Sequence, residues 1–194
     1  MTVPTAQAVA LAVAAKGWLV FRGDHDLNLV ALRAVPGTVD AFDDLLCVFY
    51  GVTGEPWTFR AFRCTTDPGK PSLEAPKRAD GTAQVAVGQH RGAYSFGKHH
   101  DTYECLVPTQ PIPVVRYRTL ADFEAGKGTP STSTTTQIHH ASGSHPSTIV
   151  GAYSEGCIVL SDPDDFAAFM ALCHGQVTAG NGRFFSLSVL PWPS

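Results

Sequence analysis

Two short segments hold residue types that can do chemistry, "IHHA" at residues 138–141 and "YSEGCIVL" at residues 153–160. Cys157 follows a glycine and opens an apolar run that reads as a strand. A cysteine works as a nucleophile only as its thiolate or beside a base that makes it one. It also needs hydrogen-bond donors aimed at the developing oxyanion. Gly156 allows close backbone approach, and the N–H groups at Gly156 and Cys157 are the donors on offer. His139, His140 and His145 are the candidate bases. The segment from Thr136 to Cys157 reads as strand, loop, strand, so neighbouring strands would bring a histidine opposite the thiol. A thiol at such a turn is expected to have a lowered pKa and to outreact the other cysteines.

A second polar stretch, "GQHRGAYSFGKHHD" at residues 88–101, supplies Arg91, Tyr94 and His99 as candidates for holding carboxylates and amides; Ser154, beside the cysteine, either lines the site with them or only closes the turn. The blander reading is a solvated loop. His90, His99, His100, Asp101, His139, His140 and His145 are numerous enough for a three-ligand zinc site. They lack HExxH spacing, and adjacent histidines on a strand face opposite ways. Neither a metal nor another cofactor is expected.

These residues must be positioned by a single domain, residues 1–194. Charged residues make up 16% of the chain, against about 25% in an ordinary soluble domain. The net charge of −3, without a Lys/Arg cluster, offers nucleic acid no footprint. The longest apolar run, "AVALAVAA" at residues 8–15, is too short for a membrane span, which takes about 20 residues. No Lys or Arg precedes it, so it reads as an N-terminal helix over residues 1–17 capped by Gly17, not as a signal peptide. The expectation is synthesis in the cytoplasm without an export signal of its own. Of five cysteines, Cys47, Cys64, Cys105 and Cys173 lie in apolar contexts and read as buried free thiols.

Eighteen Gly and fourteen Pro imply many turns and a β-rich chain. "WLVF", "LNLVALR", "YECLVP", "IPVVRYR", "CIVL" and "FFSLSVL" read as strands. "LLCVFY" and "WTFRAFR" flank "GVTGEP" as a hairpin. Residues 76–102 read as loop-rich, and "GKGTPSTSTTTQ" as a surface loop whose Thr-rich end leads into the strand carrying His139. "SDPDDFAAFMALC" opens a helix, with Ser161 or Asp162 to cap, Pro163 in the first turn, and an apolar stripe of Phe166, Phe169, Met170 and Cys173. The sum is mostly β with two or more helices, an α+β domain.

The pattern "IHHA…YSEGCIVL" resembles the catalytic signature of the L,D-transpeptidase (YkuD-like) family: a histidine after an apolar strand, a gap, then Ser/Thr-x-Gly-Cys. The eighteen positions from His139 to Cys157 match that family's separation. Glu155 stands where a histidine is usual, Val159 where arginine or asparagine is usual, and His140 where a small residue is common. The resemblance implies a β-sandwich-like catalytic domain and a peptidoglycan stem peptide as partner. It further implies that Cys157 attacks the carbonyl at the L-centre of diaminopimelate. His139 would take the thiol proton and later protonate the leaving amine. His140 would orient His139 through its backbone carbonyl. A thioacyl enzyme then passes its acyl group to water or to an amine. A small chain of this kind suggests a phage endolysin or an interbacterial toxin, reaching the wall through a holin or a secretion system. A zinc-dependent peptidoglycan hydrolase and a non-catalytic wall-binding protein are the alternatives.

Overall fold

The computed structural model describes residues 2–193; Met1 and Ser194, the ends of the expected domain, lie outside the described residues. It is mostly β with four helices among the described residues. The strands in chain order are β1 (Asn28–Val35), β2 (Asp44–Tyr50), β3 (Thr58–Thr65), β4 (Thr82–Val85), β5 (Gly88–His99), β6 (Tyr103–Pro108), β7 (Ile112–Tyr117), β8 (Thr129–Ser133), β9 (Ile138–His140), β10 (Ile158–Leu160) and β11 (Phe185–Pro193). The helices are α1 (Ala6–Ala15), α2 (Lys70–Glu74), α3 (Leu120–Glu124) and α4 (Pro163–Thr178). Eight strands close into a barrel in the order β1-β11-β5-β6-β9-β10-β3-β2, and β4-β7-β8 form a separate sheet. Closure of the main sheet is a feature the strand pattern did not foretell.

Alternation builds two cores from the same strands. Leu29 and Ala31 of β1 and Leu46 and Val48 of β2 point into the barrel, against Tyr94, Ile138, Ile158 and Phe169. Their neighbours Val30, Leu32, Leu45, Cys47 and Phe49 point outward, under Val9 and Val13 of α1. Strands buried on both faces read as continuous apolar runs, which is how "LLCVFY" reads. The hairpin forms as expected, with Asp44 paired to Cys64 and Tyr50 to Thr58. Helix α1 starts at the Thr5 cap and stops at Gly17, whose φ of +72° suits glycine.

Three segments differ from the sequence pattern. "WLVF" joins no strand. Trp18 N donates to Val13 O, and side chains meet two other N–H groups, Leu19 N donating to Gln89 Oε1 at 3.0 Å and Phe21 N to Asn28 Oδ1 at 2.8 Å. Trp18 and Val20 still pack on the outer core. Residues 76–102, read as loop, contain β4 and the twelve-residue β5. Glycine there serves close packing: a Cβ at Gly97 would press into Val107 across the β5–β6 pair. The Ser/Thr-rich stretch becomes β8, one of the two outer strands of the small sheet, before leading into β9.

Helix α4 is capped by Asp162, which accepts from Asp164 N at 2.9 Å, with Pro163 at its start. Its buried stripe runs Phe166, Phe169, Met170, Cys173 and then Gln176. Phe166, Phe169, Met170 and Cys173 join the inner core. Gln176 is nearly sealed, and its amide accepts from Leu27 N and donates to Gly182 O and Phe184 O.

Candidate active site

Strands β9 and β10 are parallel neighbours, with Ile138 opposite Ile158 and His139 opposite Val159. Both isoleucines are sealed in the barrel core. Side chains alternate along a strand, so Cys157 and His139 are turned to the outer face. They line one cleft of about 800 Å³, between the barrel and the small sheet. Cys157 is the one free cysteine that is not fully buried; Cys47, Cys64, Cys105 and Cys173 each show 0% exposure.

The turn before the thiol depends on two residues. Gly156 has φ +116°, and a Cβ there would collide with the Ala83 carbonyl of β4. Glycine is required for packing on the small sheet, not for access by a substrate. Ser154 is fully buried. Its Oγ donates to Cys157 O at 2.9 Å and accepts from Gly156 N at 3.2 Å. Ser154 therefore shapes the turn and does not face the cleft. The Gly156 N–H is thereby committed, while the N–H groups of Glu155 and Cys157 have no partner among the described residues.

Cys157 Sγ accepts the Gln137 N–H at 3.3 Å and lies 3.6 Å from Thr135 O. The two neighbours belong to the chain entering β9. Burial pushes the thiol up to about 11; the Gln137 N–H opposes this and the Glu155 charge adds to it. A lowered pKa was the expectation from sequence. The direction reverses because the thiol has no cationic partner here: no hydrogen bond joins it to His139 among the described residues, and burial favours the uncharged form.

His139 is 2% exposed. Its Nδ1 lies 2.8 Å from the His140 carbonyl oxygen, the group that the family resemblance assigns to orienting it. With Nδ1 as donor, Nε2 carries the lone pair, and Nε2 is buried without a partner. Burial pushes His139 down to about 3, against the pull of the His140 carbonyl and with help from His99, His140 and His100. The resting pair is thus a neutral thiol and a neutral imidazole. His99 braces the ring from the side, stacked at 4.1 Å between centroids, and its Nδ1 is tied to Gln137 Oε1 at 2.6 Å. His140 faces the other way, stacked on Tyr103 at 4.0 Å and edge-on to Phe166. The Tyr103 hydroxyl lies 3.5 Å from His139 Nδ1 and 3.4 Å from His140 O.

Other sequence candidates scatter. His99 lines the cleft. Tyr94 is sealed in the inner core at 0% exposure, so it cannot touch a ligand in the cleft. Arg91 is exposed on β5 outside the cleft lining. His90 is held by Ala86 O and His145 by Ser142 and Ser144, also outside it. Among the described residues no group of three or more His, Cys, Asp or Glu converges as metal ligands. His99 and His139 stack with their planes 25° apart, an arrangement that does not aim both lone pairs at one point.

Sequence reasoning missed the cations of the cleft, Lys77, Arg78 and Arg116. Lys77 and Arg78 are the only adjacent basic pair in the chain, a signal that was there to read. Arg116 left none, sitting in a strand between Val115 and Tyr117. Lys77 pairs with Glu155, in the turn before Cys157.

Compared with known proteins, the chain matches no family model, no curated protein and no solved structure.

Proposed function

We propose that the protein is a cysteine acyl-transfer enzyme of the L,D-transpeptidase type that acts on the stem peptide of peptidoglycan. The observation that carries this reading is His139: Nδ1 is taken by the His140 carbonyl, and Nε2 is buried, unpartnered and in the same cleft as Cys157. A structural histidine sealed in a core normally has its polar atoms satisfied. A general base has one nitrogen fixed and the other free. The signature "IHHA…YSEGC" and the predominance of β structure support the family assignment; its β-sandwich-like architecture remains part of the proposal.

The neutral pair sets the order of events. Substrate enters the cleft, and Cys157 Sγ attacks a carbonyl as His139 Nε2 takes the thiol proton. The Cys157 N–H supplies a donor for the oxyanion. The protonated His139, disfavoured in its buried site, readily gives its proton to the leaving amine. Water or a second amine then releases the acyl group from sulfur, with His139 again as base. The site of action is the cell wall, reached through a lysis or secretion partner. Digestion of purified muropeptides, followed by mass analysis, tests the reading. Loss of a terminal residue, loss of a cross-link or gain of an amino acid is expected, and each is abolished by Cys157→Ala. Activity that survives Cys157→Ala and requires added zinc would replace this reading with a metal hydrolase.

A further inference from the structure

The cleft carries a cation that the acyl-transfer chemistry does not use. Arg116 lies on β7 and is only 7% exposed, yet it lines the cleft. A guanidinium has five N–H donors in a fixed plane. Its Nη1 donates to Gly81 O at 3.0 Å and its Nη2 to Thr132 O at 3.4 Å. Nε faces Ser131 Oγ and Asp80, both at 3.3 Å. One N–H on each terminal nitrogen is left uncommitted among the described residues. The β7–β8 sheet has thus fixed the guanidinium at one edge and left donors over.

The charge around it is arranged for an anion. Asp80 is gripped by Arg78 through two contacts of 2.8 and 3.1 Å, so one carboxylate is shared between two guanidinium groups. Lys77 and Glu155 offset each other. The three cations Lys77, Arg78 and Arg116 against the two anions Asp80 and Glu155 leave the rim at +1, on a chain whose net charge is −3. Thr132, Thr134 and Thr135, exposed along the same wall of the cleft, add hydroxyl donors. Buried arginines with spare donors favour planar, two-oxygen partners.

We propose that Arg116 binds a carboxylate of the substrate, so that the cleft selects a peptide bearing a free acid over the same peptide as its amide. The identity of the peptide rests on the function proposed above; the anion site does not. The test uses Cys157→Ala protein and a synthetic stem tetrapeptide made with its carboxylates free or amidated, with binding followed by calorimetry. The free acid is expected to bind about tenfold more tightly or better, the scale of a charge-assisted hydrogen bond. Adding Arg116→Gln should bring the two peptides to near-equal affinity, whereas Lys77→Ala should leave most of the preference. Because Arg116 also ties β7 to β8, a second measurement is made without that substitution: the Arg116 Nε–H resonance in Cys157→Ala. It should move with the free acid and stay still with the amide. Equal binding of both peptides, a still resonance, or a preference that survives Arg116→Gln would overturn the assignment. If the acid is preferred but wild-type protein leaves muropeptides untouched, the anion site stands and the acyl-transfer reading falls.

Discussion

Cys157 and His139 are each held away from the charged form by burial, and this fixes how the site should respond to pH. The thiol, pushed up to about 11, is almost entirely protonated at neutral pH. Alkylation by iodoacetamide should still be fastest at Cys157, because the four other thiols are sealed. Selectivity comes from access, not acidity. The rate should therefore climb about tenfold per pH unit from 7 to 10, as thiolate is the reacting species. Peptide mapping across that range checks it; a rate already level at pH 8 would mean an activated thiolate. Substrate attack escapes the same penalty only if the base is in place. His139→Ala should lower the acylation rate about 10²–10⁴-fold, the usual contribution of a positioned base. His140→Ala keeps the backbone carbonyl that holds Nδ1 and should slow acylation far less, though it unstacks Tyr103. Stopped-flow acylation with both variants decides this, and the reverse order of damage would make His140 the base.

At the level of elements, the turn between the 3-10 segment Gly151–Tyr153 and β10 does the positioning. Gly156→Ala must both hold a φ of +116° and push back the Ala83 carbonyl. A left-handed conformation alone costs an L-residue roughly 1–2 kcal/mol, so urea unfolding should show a loss of at least that size. Ser154→Ala removes one acceptor and one donor in a sealed site and should cost about 1–3 kcal/mol. In both variants activity should fall further than stability explains, since the Cys157 N–H moves with the turn. Much of this arrangement was legible beforehand. The strand after the thiol read correctly from "YSEGCIVL", whereas Gly156, read as room for a substrate, meets the Ala83 carbonyl instead. The hairpin β2–β3, the Gly17 stop and the cap and stripe of α4 also read correctly, because each rests on local chemistry. What could not be read depended on partners remote in sequence. Residues 76–102 read as loop-rich, and only Val107 across the sheet explains Gly97 inside a strand. Tyr94 looked like a ligand-binding tyrosine until closure of the barrel placed it inside. Arg116 looked like one charged residue in a strand, and its donors acquire meaning only beside Gly81 and Thr132. The direction of the Cys157 shift followed from burial, which no spacing reveals.

Across the whole molecule, two buried groups pull stability in opposite directions as the solution is acidified. His139 has a folded value near 3 against an ordinary 6.5. Between these values the unfolded chain binds a proton that the folded chain refuses, so stability is lost as pH falls. Asp44, sealed beneath Thr66 and Ala34, is pushed up to about 6 by burial and then by the Asp67 charge, against the hydrogen bonds it accepts. Between its ordinary 3.8 and that value the folded chain holds a proton that the unfolded chain releases, so stability is gained as pH falls. From pH 6 to pH 4 the two slopes have equal size and opposite sign. The contributions of these two groups should cancel over that window, and below pH 4, of the two, only the His139 loss continues. His139→Gln keeps a side-chain amide in the site and removes the titration. Its stability relative to wild type should improve steadily between pH 7 and pH 4, by several kcal/mol on the scale of about 1.4 kcal/mol per pH unit. Asp44→Asn should do the reverse and expose the full His139 loss from pH 6 downward. Urea unfolding at half-unit intervals of pH measures all three chains. If the His139→Gln and wild-type curves stay parallel from pH 7 to pH 4, then His139 titrates alike in both states. Its imidazole would then not be the desolvated neutral base that the acyl-transfer mechanism requires.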